Sequence, residues 1–177
     1  MIYISHRGNL TGTNPKQENK IKYIEAAMNE GFLVEIDTWT KQKPFNKNKS
    51  FYEGWSLYLG HDKPERKIKR ALLDRDKLIC HAKDFRTLLN LLNTESVHCF
   101  YNEEEPFALT SMGFVWLSTP YPKNDDSLNY KNTILMSKDL GKEWYGLPIT
   151  HYRKFGGICS DYIQLVRETL NGSSKRS

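Results

Sequence analysis

Phe32-Leu33-Val34-Glu35-Ile36-Asp37-Thr38 reads as a strand by its apolar, β-branched composition and its period. Successive strand side chains point to opposite faces, so Leu33, Glu35 and Asp37 share one face and Val34 and Ile36 the other. Before it, residues 19–30 predict a helix, with Ile21, Ile24, Ala27 and Met28 at helical spacing and Gly31 placed as its C-terminal cap. A helix feeding a strand with one apolar face implies that the helix packs on that face. Both carboxylates then point the other way, into the protein.

Similar apolar runs recur along the chain at residues 2–5, 55–60, 78–80, 97–100, 109–111, 114–117, 133–136 and 157–159. Helices are expected at 84–93, with Asp84 as cap and Phe85, Leu88, Leu89 and Leu92 on the buried face, and at 162–170. Strands alternating with helices predict a parallel sheet with helices outside. About eight strand candidates suggest a closed barrel, although such barrels typically take about 250 residues. The expectation for 177 residues is therefore a compact, trimmed TIM-type (β/α) barrel with some outer helices short or missing, notably near 63–77 and 118–132. It forms a single domain over 1–170 with a polar tail at 171–177. The alternative, an open doubly wound sheet, calls for a Gly-rich loop after the first strand; His6-Arg7-Gly8-Asn9-Leu10 contains no GxGxxG.

Composition narrows the function classes. Hydrophobic residues make up 38% and charged residues 27%, with an excess of five positive charges. That excess suits a phosphate-bearing partner as well as an ordinary solvated surface. The basic stretch at 41–49 carries no nucleic-acid-binding motif, so it reads as a solvated loop. Cys80, Cys99 and Cys159 lie in apolar runs without a CxxC pair, as small buried side chains in a reducing compartment do. The start of the chain lacks a basic leader and a long apolar segment, and no stretch has the ~20 apolar residues of a membrane span. Cytoplasmic residence is the resulting expectation. Oligomeric state has no sequence signal.

The chemistry lies at the ends of the runs. Two carboxylates sharing an interior face are costly unless compensated, and a hard divalent cation with oxygen ligands supplies the compensation. The same parity places His81 and Lys83 with Ile79, His61 with Leu57 and Leu59, and His6 with Ile2 and Ile4. Four early strands thus end in ionisable groups, at the end where barrel active sites form. Alone, each has a bland reading: His6 as a cap, Glu35 and Asp37 as structural ion-pair partners, His61-Asp62 as a turn, Lys83 as a solvated cation. At matching strand ends they read together as a site. The run Glu103-Glu104-Glu105, His98 and His151 read as structural or solvated.

The ordered motifs resemble the glycerophosphodiester phosphodiesterases of the phospholipase-C-like superfamily. The matching residues are His6-Arg7-Gly8, Glu18-Asn19, Glu35-Ile-Asp37, Gly60-His61-Asp62, His81-Ala-Lys83 and Gly157-Ile-Cys-Ser-Asp161. Departures are His81, where the family carries a carboxylate, and Lys16-Gln17, where it carries proline. The resemblance implies a metal-dependent phosphodiester hydrolase acting on a small glycerophosphodiester-like substrate. Glu35, Asp37 and His81 would hold one divalent cation, Mg²⁺ or Ca²⁺. Arg7 and Lys83 would bind the phosphate, and His6 and His61 would act as base and acid, in that order or the reverse. The alternative is a non-catalytic barrel relative that binds a phosphorylated ligand or protein, motivated by His81 and the short chain.

Overall fold

The alternation at 33–37 sets the middle of the sheet. The structure is a computed structural model that describes residues 1–42, 55–73, 76–103, 105–118 and 129–172. Most of the basic loop at 41–49, Glu104, most of 118–132 and most of the 171–177 tail lie outside these residues, with the expectations placed there. Val34 and Ile36 pack outward against Ile24, Ala27 and Met28, so the helix–strand reading of the quoted stretch holds.

Ten strands form one mixed sheet: β1 (Ile2–His6), β2 (Leu33–Gln42), β3 (Trp55–Leu59), β4 (Arg66–Ile68), β5 (Leu78–Ala82), β6 (Cys99–Phe100), β7 (Phe107–Leu109), β8 (Val115–Ser118), β9 (Thr133–Met136) and β10 (Gly157–Ser160). The helices among the described residues are α1 (Ile21–Asn29), α2 (Phe85–Leu92), α3 (Ile149–Tyr152) and α4 (Ile163–Gly172). Parallel pairing runs β6-β5-β2-β1-β10-β9-β8, and β7 closes the series antiparallel to β8.

This architecture overturns the helix-ringed TIM-type barrel. That fold needs a crossover helix after each strand, and here three pairs of consecutive strands run antiparallel instead. The turn at Met112-Gly113 joins β7 to β8 antiparallel. β3 also returns antiparallel along β2, from Thr38↔Leu59 to Gln42↔Trp55, and β4 adds antiparallel to β3. β2 runs four residues beyond the quoted stretch because Trp39 to Gln42 pair with β3 although they are more polar. The result is a sheet-dominated fold.

The position of the hairpin matters for the site. β1 pairs with β2 from Ile4↔Leu33 only as far as His6↔Glu35, whereas β5 follows β2 on its other edge to Thr38↔Ala82. β3 joins β2 at Thr38, on the edge that β1 has vacated. The β3–β4 hairpin therefore rises beyond the end of β1.

Three apolar clusters hold the layers. One lies between α1, α2 and the outer faces of β2, β3 and β5; a second surrounds α4 and α3. The third draws Ile4, Ile79, Phe100, Ala108, Trp116, Ile134 and Cys159 from seven strands onto one inner face. Single residues from so many strands meet only because the sheet curls, as twisted sheets do.

α2 corrects the expected buried face. Asp84 caps it, accepting a 2.6 Å hydrogen bond from the Thr87 N–H. Yet Phe85, Leu89 and Leu92 are 60%, 45% and 53% exposed, while Thr87 and Leu91 are buried and Leu88 is partly so. Thr87 is turned inward because its hydroxyl accepts the Thr40 N–H at 2.8 Å, tying the helix to β2. No helix among the described residues is long and apolar enough to cross a membrane.

Candidate functional site

Glu35 and Asp37 stand on the inner face of β2, as their parity with Leu33 requires, and both are buried. β5 pairs in register, setting Asp37 opposite His81. Donor atoms of Glu35, Asp37 and His81 lie within 4.8 Å of one another. His81 Nδ1 is 3.4 Å from Asp37 Oδ1 and 3.7 Å from Glu35 Oε1. Its ring stacks on Phe100 at 4.7 Å between centroids, and Phe100 stacks on Trp116 at 4.4 Å. An aromatic column from the inner core thus fixes the imidazole plane.

Two cations share the carboxylates. Arg7 Nε lies 2.8 Å from Asp37 Oδ2, and Lys83 Nζ lies 3.3 Å from Asp37 Oδ1. Arg7 also donates from Nη1 to Glu18 Oε2 at 3.2 Å. Charge balance alone therefore does not demand a metal. The deficit is in hydrogen-bond geometry: Arg7 Nε and Asp37 Oδ1 are held by ion pairs without a well-formed hydrogen bond, and the equally buried Glu35 Oε2 and His81 Nε2 have no hydrogen-bond partner among the described residues. Such orphans are rare in a folded interior. Three of the four belong to the candidate ligands, so the set fits a cation. Oxygen donors around Ca²⁺ at 2.3–2.6 Å can be at most about 5.2 Å apart, a limit these donors satisfy as they stand.

The electrostatics follow from burial. Burial and the neighbouring Asp37 charge raise the Glu35 pKa to about 8. Burial also pushes Asp37 upward, but the His81 contact and the charges of Arg7 and Lys83 outweigh it and hold that carboxyl below its ordinary range. A bound cation would draw Glu35 back toward the ionised form.

His6 closes β1 beside this cluster, its Nε2 3.9 Å from Glu35 Oε2. Its Nδ1 pairs with Asp161 Oδ1 at 2.7 Å. Asp161, just after β10, also accepts from Asn9 Nδ2 at 2.7 Å and Thr13 Oγ1 at 2.9 Å. Burial pushes its carboxyl up, yet these bonds and the contact with His6 outweigh that and keep it ionised. An ionised acceptor makes Nδ1 the donor and leaves Nε2 with the lone pair. Burial lowers the His6 pKa, with Asp161 opposing, so the ring is neutral near pH 7.

His61 reaches the site differently. β3 is antiparallel, so His61 comes in from the hairpin above instead of from a parallel strand end. Gly60 makes the turn at φ +152°, and a Cβ there would sit 2.2 Å from the Lys63 carbonyl oxygen. The turn breaks strand alternation: Leu57 and Leu59 go to the outer core, while His61 lines a cavity of about 270 Å³ with His6, Arg7, Glu18 and Asp161. His61 is 44% exposed and its Nδ1 lies 2.5 Å from Asp62 Oδ1.

Six of the candidates, His6, Arg7, Glu35, Asp37, His81 and Lys83, are linked by contacts under 4 Å, whereas His61 meets them only as part of the cavity wall it shares with His6 and Arg7. Three supporting residues had no assigned role. Asn19, at φ +59°, donates to Asp37 Oδ2 at 2.9 Å and accepts the Asp37 N–H at 3.0 Å. Asn9 bridges Glu18 and Asp161. Asp161 holds His6. Asn19 and Asp161 stand within motifs already read from the sequence, though without a role, whereas Asn9 carries no signal because an Asn in a loop reads as an ordinary turn former. His98 is structural, its Nε2 2.9 Å from Thr110 Oγ1. No family model, curated protein or solved structure matches the chain.

Proposed function

We propose that this chain is a metal-dependent phosphodiester hydrolase, as the glycerophosphodiester phosphodiesterase motifs imply, acting on a glycerophosphodiester-like substrate. The observation that carries the reading is the set Glu35, Asp37 and His81, with unpaired donor atoms, beside a histidine whose free nitrogen is set by Asp161. Glu35, Asp37 and His81 would hold Mg²⁺ or Ca²⁺, which supplies a Lewis acid for the non-bridging phosphate oxygens. Arg7 and Lys83 place further positive charge there.

Neutral His6 suits the base. Its Nε2 takes the proton of a substrate hydroxyl beside the phosphate; the oxygen–phosphorus bond forms as the bond to the leaving alcohol breaks. His61, which lines the same cavity, gives that alcohol its proton. Water then opens the cyclic phosphate with the two roles exchanged. The reading favours His6 as base because Asp161 leaves Nε2 unprotonated.

The test is alcohol release from a panel of glycerophosphodiesters with Mg²⁺, Ca²⁺, Mn²⁺ or EDTA, for wild type, His6→Ala and Glu35→Gln. Metal-dependent turnover lost in both variants supports the enzyme. No turnover on any substrate, with calorimetry still detecting phosphate binding, would make this a phosphate-binding protein.

A further inference from the structure

The cavity carries more charge than the reaction at one phosphate uses. Glu18 pairs with Arg7 at 3.2 Å, and Glu65 with Arg66 at 3.3 Å. The wall aspartates 62 and 161 each face a histidine. Lys138 also lines the cavity, and its ammonium has no side-chain partner among the described residues.

Lys138 is held in place through its backbone. Its carbonyl accepts the Asp161 N–H at 3.1 Å and the Ser160 hydroxyl at 3.1 Å. It follows β9, and the strand order β5-β2-β1-β10-β9 places it three strands from Glu35 and Asp37. At about 4.8 Å per strand, its backbone is about 14 Å from theirs, and about 10 Å from that of His6, as measured along the curled sheet. A cation that far along the sheet lies beyond the phosphate held by Arg7, Lys83 and the ligand set. It is within reach of whatever the phosphate is attached to.

We propose that Lys138 is a specificity-determining residue that pairs with a second anionic group, carboxylate or phosphomonoester, on the part of the substrate extending past His6. The proposal rests on the phosphodiesterase reading and narrows its substrate to diesters with an additional negative charge. A choline-type cation would instead meet an unpaired lysine on this wall.

The test compares kcat and KM on three diesters that share the reacting glycerophosphate: glycerophosphoglycerol, its phosphomonoester, and glycerophosphoglycerate. Wild type is expected to favour one or both anionic substrates about tenfold in kcat/KM, the size of one hydrogen bond to a charged group. Lys138→Ala should lose most of that preference through KM, and Lys138→Arg should keep it. The advantage should shrink with added salt, because the lysine is exposed. The arm that shows the preference identifies carboxylate or phosphomonoester. Equal rates on all three substrates in wild type, or an equal fall on all three in Lys138→Ala, would overturn the proposal. If no diester is turned over, the phosphodiesterase reading fails by itself, and calorimetry with inorganic phosphate decides on Lys138. Weaker binding in Lys138→Ala keeps the anion site, and unchanged binding removes it.

Discussion

Asp161 sits 155 residues from His6 yet determines which nitrogen of that ring is free. Replacing its carboxylate with an amide keeps the shape but removes the charge that favours Nδ1–H. Asp161→Asn is expected to lower kcat by a factor of up to about 10⁴, the loss seen when the aspartate orienting a histidine base becomes Asn. The pH profile gives the sign. Burial lowers the His6 pKa and Asp161 raises it, so losing Asp161 should move the acidic limb of kcat/KM to lower pH. A limb that moves upward, or stays in place with full activity, would assign the base to another group. Phe100 acts one layer deeper: Phe100→Ala is expected to cost about 3–5 kcal/mol in urea unfolding. By freeing the His81 ring, it should also weaken metal binding by calorimetry. Stability lost with metal affinity intact would mean that the stack only fills space.

At the scale of elements, α2 and the β3–β4 hairpin show how neighbours override a local pattern. The Leu/Phe spacing of α2 points to one face as buried, but the Thr87–Thr40 bond and the packing of Leu91 rotate the helix away from it. Leu91→Ala should therefore destabilise by about 2–5 kcal/mol, and Leu89→Gln by no more than about 0.5 kcal/mol. Chemical denaturation of the pair discriminates between the two faces; comparable losses would restore the face read from the sequence. The hairpin carries His61 over the cavity because β2 outlasts β1, leaving an edge for β3. The polar stretch Trp39 to Gln42 gives little hint of that extension, since its pairing partner is what makes it a strand.

For the molecule as a whole, the site trades stability against ionisation. Glu35 titrates at about 8 in the folded protein and near 4.5 unfolded, so the folded state holds an extra proton between these values. Stability of the metal-free protein should then fall as pH rises through that window. His6, lowered by burial, acts oppositely, its contribution falling off as pH drops through about 6.5. From pH 6.5 to 8 the Glu35 effect outweighs the tail of the buried histidines: metal-free protein should lose about 1 kcal/mol, Glu35→Gln should not, and Ca²⁺ or Mg²⁺ should remove the decline. Thermal melts at the two pH values check this; a flat profile in metal-free wild type would refute a buried, protonated Glu35. The sequence by itself determined where most of the strands lie, though not β4 in the charged stretch at 63–77, and which residues of β1, β2 and β5 share the inner face, because strand parity is a property of consecutive residues. It also singled out His6, Arg7, Glu35, Asp37, His61, His81 and Lys83 as one candidate group, because each stands at or just past the end of an apolar run. Only the tertiary structure decided that β3 runs antiparallel, that the sheet lacks a ring of helices, and that Asp161, Asn9 and Asn19 orient the site. Those outcomes depend on which edges are vacant and which distant loops meet, and chain-local periodicity carries no information about either.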